Sequence, residues 1–418
     1  MIGISPHIDP MESSSSLISF TLEDAYSRLG KGSPLARHLA SGDFGQLRRA
    51  FEYPSVDVDV LDLIDRARKD SSVYLQLPYC ISSDLMSLLN CSMACSEPRF
   101  ELLLREMIGQ LLVQRDENFN YIDEVRGAVS PGWGCGYMVP GKWVHDLATS
   151  SEIALNIALY LLHRKTGGHL DQSGFFDDSE AMDVCCSIAD SFAKEVVEVA
   201  GDWTVWQPFQ NDITPTNNVA IYVSLLAILD EIDGNNRYQL IVDRLASSIH
   251  RSFRHETDDT VCWGYRINTP EGRSVFGERY WKSPWVVNMM IILYEIGIVF
   301  TYRDLEQATN SLLANVIKAD GRIYDSMSEQ SGELLDCNRI RYHETKGQSF
   351  PLKRLINFSP LGRIFPEVIS RLESVFTHHE YFKAFASAAL NPENYWVLEA
   401  MSFCLNHERN ALVVRGQK

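Results

Sequence analysis

Long uncharged apolar runs are absent from this sequence of 418 residues. A membrane-spanning helix needs about 20 consecutive, mostly apolar residues. The best candidate, residues 286–300, is shorter and contains Asn288 and Glu295. No basic segment followed by an apolar run, the pattern of a secretory signal, comes after Met1. We therefore expect no membrane span and a cytoplasmic protein.

Positive charge is also scarce, since 38 Lys and Arg residues are set against 55 Asp and Glu residues, for a net charge of −17. Proteins that bind nucleic acid in general need a basic face that displaces counterions, so no nucleic-acid partner is expected. The nine cysteines are an odd number and include the adjacent pair Cys185 and Cys186, which favours reduced thiols. Cys91 and Cys95 could share a helical face, but no second ligand pair lies nearby, so no metal site is predicted.

Several catalytic signatures are missing as well. The chain has no GxGxxG after a strand, no P-loop, no GxSxG and no HExxH. Asp57 and Asp59 lack the paired final aspartates of protonating terpene cyclases. Asp177 and Asp178 lack the third carboxylate that would hold magnesium with a diphosphate. These absences lead us to expect no required cofactor.

Helical periodicity is the strongest signal that is present. Apolar residues recur at helical spacing over residues 219–232 and again over residues 238–253. The polar turn between them contains Gly234 and two asparagines, which tolerate positive φ. Further helices are predicted at 57–68, 99–114, 152–164, 182–199, 285–298, 305–316, 363–376 and 394–405.

These patterns predict an all-α fold. We expect an (α/α) toroid, an incomplete or complete barrel of helical hairpins, with long aromatic loops at one end. Residues 1–16 are predicted to be a disordered tail, and residues 17–418 a single catalytic domain of this type.

Three loops rich in aromatic residues, at 133–143, 203–209 and 263–285, each fall at a junction between hairpins. A closed ring of hairpins would bring them to the same end, where aromatic walls suit sugar rings. The residues predicted to line this cavity are Trp133, Tyr137, Trp206, Tyr265, Tyr280 and Trp281.

Three segments resemble a known family. They are GWGCGYMVPGKWVHD at 132–146, PTNNVAIYVSLLAILDEIDGNNRY at 215–238 and WVVNMMIILYEIGIVFTYRDL at 285–305. Together they resemble the (α/α)-barrel carbohydrate enzymes, especially the C-terminal domain of D-glucuronyl C5-epimerases and alginate-lyase-like relatives. Such enzymes often place an acidic residue and a His just before the third segment. Here that stretch contains Glu278 and no His.

The predicted chemistry is proton abstraction. His145, which precedes a helix, is the candidate base, and Tyr265 or Tyr280 is the candidate acid. Arg266 or Lys282 would hold a negative group. The structural alternatives are that Asp146 caps the helix with His145 packed under the loop, and that the tyrosines lie at the rim of a solvent-facing loop.

Two further groups of polar residues have both a functional and a structural interpretation. Asn217 and Asn218 could hydrogen-bond a carboxylate or cap the following helix. Arg339, Arg341 and the residues that follow could form a lid or an ordinary basic loop.

Three functions stay open at this point. The first is a cofactor-independent lyase- or epimerase-like enzyme acting on a sugar or uronate-type substrate. The second is a cyclase or isomerase of a hydrophobic small molecule, terpenoid or polyketide-like, in natural-product biosynthesis. The third is a non-catalytic helical binding scaffold. The expected partner is a small-molecule or oligosaccharide substrate, and a homodimer is left open.

Overall fold

A computed structural model describes residues 82, 85–86, 88–90, 98–139, 141–166, 176–267, 278–329, 332–335 and 351–377. One hydrophobic core cluster contains residues from Leu85 to Val375. Several sequence predictions lie outside the described residues: the tail at 1–16, the helices at 57–68 and 394–405, the acidic pair at 57 and 59, Cys91 and Cys95, and the basic segment at 339–343.

The described residues form eleven α-helices: α1 (Pro98–Val113), α2 (Asp116–Phe119), α3 (Leu147–Lys165), α4 (Asp178–Ala193), α5 (Thr216–Asp233), α6 (Gln239–Arg251), α7 (Ser283–Ile296), α8 (Tyr302–Ser311), α9 (Pro351–Ile356), α10 (Leu361–Ile364) and α11 (Glu367–Thr377). A π-helical turn, Leu312–Val316, continues α8 directly.

Nine short strands lie between these helices in the described ranges: β1 (Ile122–Asp123), β2 (Ala128–Val129), β3 (Cys135–Val139), β4 (Lys142–Val144), β5 (Val196–Val199), β6 (Asp202–Gln207), β7 (Asp212–Ile213), β8 (Arg254–Thr257) and β9 (Thr260–Cys262). They pair as four antiparallel sheets, β1-β2, β3-β4, β5-β6-β7 and β8-β9.

The prediction of an all-α toroid is therefore wrong, because four antiparallel sheets accompany the helices. The clearest difference is at residues 182–199, which were predicted to be one helix. Helix α4 ends at Ala193, and β5 and β6 follow as a hairpin in which Val196 pairs with Val205. The turn is formed by Ala200 and Gly201, which both have positive φ (53° and 86°), as hairpin turns with right-handed twist require.

The long helices form two layers. Helix α5 packs against both α3 and α7, and it is buried on all sides over most of its length. Helices α4, α6 and α8 cover α3, α5 and α7 respectively. Gly234 and Gly297 end α5 and α7 in the left-handed conformation, with φ of 75° and 78°, which a glycine adopts without steric cost. None of the described helices is long and apolar enough to cross a membrane.

Two of the three predicted aromatic loops are largely strands, since 133–143 contains β3 and part of β4 and 203–209 contains most of β6. Described residues link them to each other and to the third loop. Phe209 of the second loop packs against Cys135 and Val144 of the first. Arg266 of the third loop forms an ion pair with Asp212, which follows the second loop. The backbone segments before α3, α5 and α7 therefore meet at one end of the helical layers.

Candidate functional site

His145 lies between β4 and α3, in a buried cluster built around Asp116. Its Nε2 is 2.8 Å from Oδ2 of Asp116, and its amide donates to Oδ2 of Asp123 at 2.9 Å. The same Asp116 oxygen also accepts from the amide of Gly134 at 2.9 Å and from Nε1 of Trp143 at 2.5 Å. Because a carboxylate accepts hydrogen bonds, the arrangement assigns the proton to Nε2 of His145. Its Nδ1 is buried and has no hydrogen-bond partner.

The residues beside His145 connect the first aromatic segment to the helices through a helix cap and ion pairs. Asp146 caps α3, since its Oδ1 accepts from the amides of Ala148 and Thr149 at 2.9 and 3.1 Å. Arg126 forms ion pairs with both Asp123 and Glu195. Burial alone would raise the pKa of Asp123, but hydrogen bonds from the amides of His145 and Arg126, together with the guanidinium charge, lower it. This geometry corresponds to the structural alternative, in which Asp146 is a cap and His145 packs beneath the loop.

A second cluster surrounds Glu278, just before α7. The backbone of Glu278 is held on both sides, because its amide donates to the carbonyl of Trp263 at 2.9 Å and its carbonyl accepts from Met327 at 3.2 Å. The side chain is only 2% exposed, and its Oε2 has no hydrogen-bond partner among the described residues. Burial raises the pKa of Glu278 to about 8, although the positive charge of Lys282 opposes the shift. The carboxyl group is thus mostly protonated at neutral pH.

Lys282 follows Glu278 by four residues, at the cap position just before α7, and its Nζ is 4.0 Å from the centroid of the Tyr265 ring. This is a cation–π contact. Two neighbouring cations are already neutralised, since Arg266 pairs with Asp212 and Arg279 pairs with Asp325. Lys282 forms no ion pair with a described residue. It is therefore the cation best placed to meet an anionic ligand group here.

Five buried polar atoms without a hydrogen-bond partner among the described residues belong to residues within, or joined to, the first two turns of α5 and α7. They are Oγ1 of Thr214, Oδ1 of Asn217, Nε1 of Trp263, Oε2 of Glu278 and Oδ1 of Asn288. Folded proteins satisfy nearly all their buried polar groups, with ordered water or a bound ligand supplying the missing partner. Similar atoms occur elsewhere, as at Ser151 and Asn156 of α3. At the starts of α5 and α7 they accompany a cation without an ion pair among the described residues and a buried carboxyl group, so this region is the candidate functional site.

The structure brings together four of the predicted site residues. Tyr280 is fully buried and meets Trp281 edge to face, with ring centroids 5.4 Å apart. Tyr265 is 41% exposed and contacts Lys282, so it lies at the outer edge of the cluster. The carbonyl of Tyr265 accepts from the amide of Thr216, which joins this loop to the start of α5.

The two predicted asparagines lie at that same start of α5. Nδ2 of Asn217 donates to Oδ1 of Asn218 at 2.8 Å. The cap position itself is occupied by Pro215, which forms no side-chain cap hydrogen bond. Asn217 and Asn218 therefore lie within the first turn of α5 rather than at its cap.

Other predicted lining residues lie elsewhere. Trp133 belongs to the hydrophobic core, where its Nε1 donates to the carbonyl of Leu111 at 3.0 Å. Trp206 is on β6, and side-chain alternation places it on the opposite face from Trp203 and Val205, which pack into the core. Tyr137 is in β3, and its side chain is outside the described residues.

His145 and the two tyrosines belong to separately built clusters. The polar contacts of the His145 side chain and amide run to Asp116 and Asp123. Helix α5 lies between α3, which follows His145, and α7, which follows Tyr280. Direct proton transfer between His145 and either tyrosine stays a prediction.

Sequence reasoning did not predict the burial of Glu278. A signal existed, because Glu278 is an acidic residue among aromatic ones directly before a strongly apolar helix. Buried carboxyl groups of this kind often belong to functional sites. No sequence pattern marks Gln207 and Thr214 in this way. Their burial depends on how β6 pairs with β7, which the sequence does not show.

Searches with protein-family models, among curated proteins and among solved structures find no match to this chain. The resemblance to the (α/α)-barrel carbohydrate enzymes therefore stays a prediction. Within the described part of the chain, no group of three or more His, Cys, Asp or Glu residues could hold a metal ion.

Proposed function

We propose that the protein is a lyase- or epimerase-like enzyme that transfers a proton at Glu278, acting on a sugar or uronate-type substrate. The observation that carries the proposal is the buried carboxyl group of Glu278, whose Oε2 is left without a partner among aromatic residues. A buried carboxyl oxygen without a hydrogen-bond partner costs folding free energy, so a functional reason for keeping it is favoured.

The surroundings of Glu278 suit a general acid. A protonated carboxyl group can donate its proton to a substrate oxygen that gains negative charge. The carboxylate that remains takes a proton back from the product or from water, which completes the cycle. Lys282 would hold the negative group of the substrate or of an enolate-like intermediate, since no described carboxylate neutralises it. Tyr265, at the exposed edge beneath Lys282, would contact the substrate as it enters.

The first test is a screen of the purified protein against uronate oligomers, followed by the Glu278→Gln variant on any active substrate. Loss of a general acid typically lowers the rate about 10²- to 10⁴-fold, so we expect a loss in this range. Glu198→Gln, at an exposed position on β5, is the matched control and should retain full activity. A fully active Glu278→Gln variant would contradict the proposal.

The aromatic residues around Glu278 favour a second candidate function. Trp263 and Tyr280 are fully buried beside Glu278, and Trp281 packs against the core. Such walls would also suit a cyclase or isomerase of a hydrophobic terpenoid or polyketide-like molecule. A parallel screen with isoprenoid and polyketide intermediates separates the two candidates, and turnover in neither screen would favour the binding scaffold.

The proposal includes a cytoplasmic setting, a small-molecule or oligosaccharide partner and no nucleic-acid partner. The net charge of −17 supports the absence of a nucleic-acid partner, and the odd number of cysteines, with Cys185 and Cys186 adjacent, supports the cytoplasmic setting. The homodimer is left open.

A further inference from the structure

Three neutral polar side chains, Gln207, Thr214 and Asn217, lie around the start of α5. Gln207 ends β6 and pairs with Asp212, and the amide of Thr214 donates to the carbonyl of Val205 at 2.8 Å. Alternation along β6 puts Gln207 on the same face as Val205, which is in the hydrophobic core. Thr214, opposite Val205, is on that face too, and Asn217 follows in the first turn of α5.

All three side chains are buried yet incompletely paired. Gln207 is 3% exposed, Thr214 0% and Asn217 8%. Within the described part of the chain, Oε1 of Gln207, Oγ1 of Thr214 and Oδ1 of Asn217 have no hydrogen-bond partner. A group of polar atoms left unpaired in this way is expected to be completed by a hydrogen-bonding molecule.

We infer that Gln207, Thr214 and Asn217 form a subsite that binds hydroxyl groups of the ligand. Amide oxygens accept from hydroxyl groups, and a threonine hydroxyl both donates and accepts. None of the three carries a charge, and the nearby Asp212 is paired with Arg266. The subsite thus fits a neutral, hydroxyl-bearing ring and disfavours a hydrocarbon, which would leave these groups unpaired.

The subsite adjoins the Glu278 cluster through Thr216. The hydroxyl of Thr216 donates to the carbonyl of Gly264 at 3.0 Å, and its amide donates to that of Tyr265 at 2.8 Å. The loop that carries Trp263 therefore touches both Glu278 and the start of α5. The inference rests on the proposed function, because it assigns the hydroxyl groups of the ligand to α5 and its reacting group to Glu278.

The test uses Gln207→Met and Thr214→Val, with binding of glucose, glucuronate and farnesol measured by isothermal titration calorimetry. Thr204→Val is the matched control, because Thr204 is also buried with an unpartnered Oγ1 but faces the other side of β6. We expect sugar binding to the wild type and an affinity loss of about 10- to 100-fold in each test variant, as for one lost hydrogen bond. Thr214→Ser retains the hydroxyl and should bind like the wild type.

Several results would overturn the inference. They are no binding of either sugar, binding of farnesol alone, an equal loss in Thr204→Val, or crystals soaked in sugar that hold only ordered water at these three residues. Glu278→Gln separates this inference from the proposed function, since it should bind sugar like the wild type while losing turnover. If Glu278→Gln turned over substrate at the wild-type rate while Gln207→Met and Thr214→Val still lost sugar affinity, the result would contradict the role of Glu278. The subsite would remain supported.

Discussion

The amide of Glu278 donates a hydrogen bond to the carbonyl of Trp263 at 2.9 Å. This contact places the backbone of Glu278 against a fully buried tryptophan, so its side chain is also enclosed. Enclosure without a hydrogen-bond partner for Oε2 disfavours the ionised form of the carboxyl group. The protonation state of Glu278 therefore follows from a backbone contact in the third aromatic loop.

Stability should fall as pH rises toward and through 8. The pKa of Glu278 is raised from 4.5 to about 8 in the folded protein, so the folded state binds more protons than the unfolded state between these values. The stabilisation is fully present below about pH 4.5 and is lost above pH 8. It amounts to on the order of 5 kcal/mol in the free energy of unfolding.

Urea unfolding at a series of pH values measures this dependence. Glu278→Gln carries no titratable group at this position, so its stability should vary less between pH 5 and pH 9 than that of the wild type. If the free energy of unfolding changed with pH in the same way in both proteins, the pKa of Glu278 would not be raised in the folded state.

Gly134→Ala should destabilise the first loop. A Cβ at this position would overlap Nε1 of Trp143 and lie only 2.8 Å from Oδ2 of Asp116. Both atoms belong to the buried hydrogen-bond cluster of His145 and cannot move away freely. We expect a loss of about 3 kcal/mol in the free energy of unfolding, measured by urea denaturation. Gly332→Ala is the control, because its nearest neighbours are 3.5 Å or more away. Equal effects of the two substitutions would contradict the close packing described here.

Asp116→Asn should also lower stability. One oxygen of Asp116 accepts from Gly134, Trp143 and His145, and a neutral amide accepts these hydrogen bonds less strongly. The expected loss is about 2–4 kcal/mol by thermal or urea unfolding. Asp183→Asn, at an exposed position on α4, should change stability by less than about 0.5 kcal/mol. A loss for Asp116→Asn no larger than that of the control would show that the carboxylate is not the centre of this cluster.

The long helices were predictable because burial imposes a strong period on them. The predicted hairpin at 219–232 and 238–253 corresponds to α5 and α6, and the polar turn contains Gly234 in the left-handed conformation. The strands were missed because they are short and carry aromatic residues, as in DWTVWQ of β6. Ala200 and Gly201 make a tight turn between alternating segments, which is a hairpin signal that the helical interpretation overrode.

The candidate site was only partly predictable. Tyr265, Tyr280, Trp281 and Lys282 were found because they are adjacent in sequence, in one aromatic loop. The enclosure of Glu278 depends on its backbone contacts with Trp263 and Met327, which lie far away in sequence. Trp133 was predicted to line a cavity, yet its indole packs against α1, since a local pattern does not show which neighbour covers a side chain.

Infrared difference spectroscopy of the wild type against Glu278→Gln tests the central claim most directly, because it needs no substrate. A protonated buried carboxyl group has a carbonyl band that an ionised carboxylate lacks. At pH 7 we predict such a band in the wild type, absent from Glu278→Gln, which disappears as the pH is raised above about 8. A difference spectrum with only carboxylate bands at pH 7 would show that Glu278 is ionised, and would contradict its assignment as the proton donor.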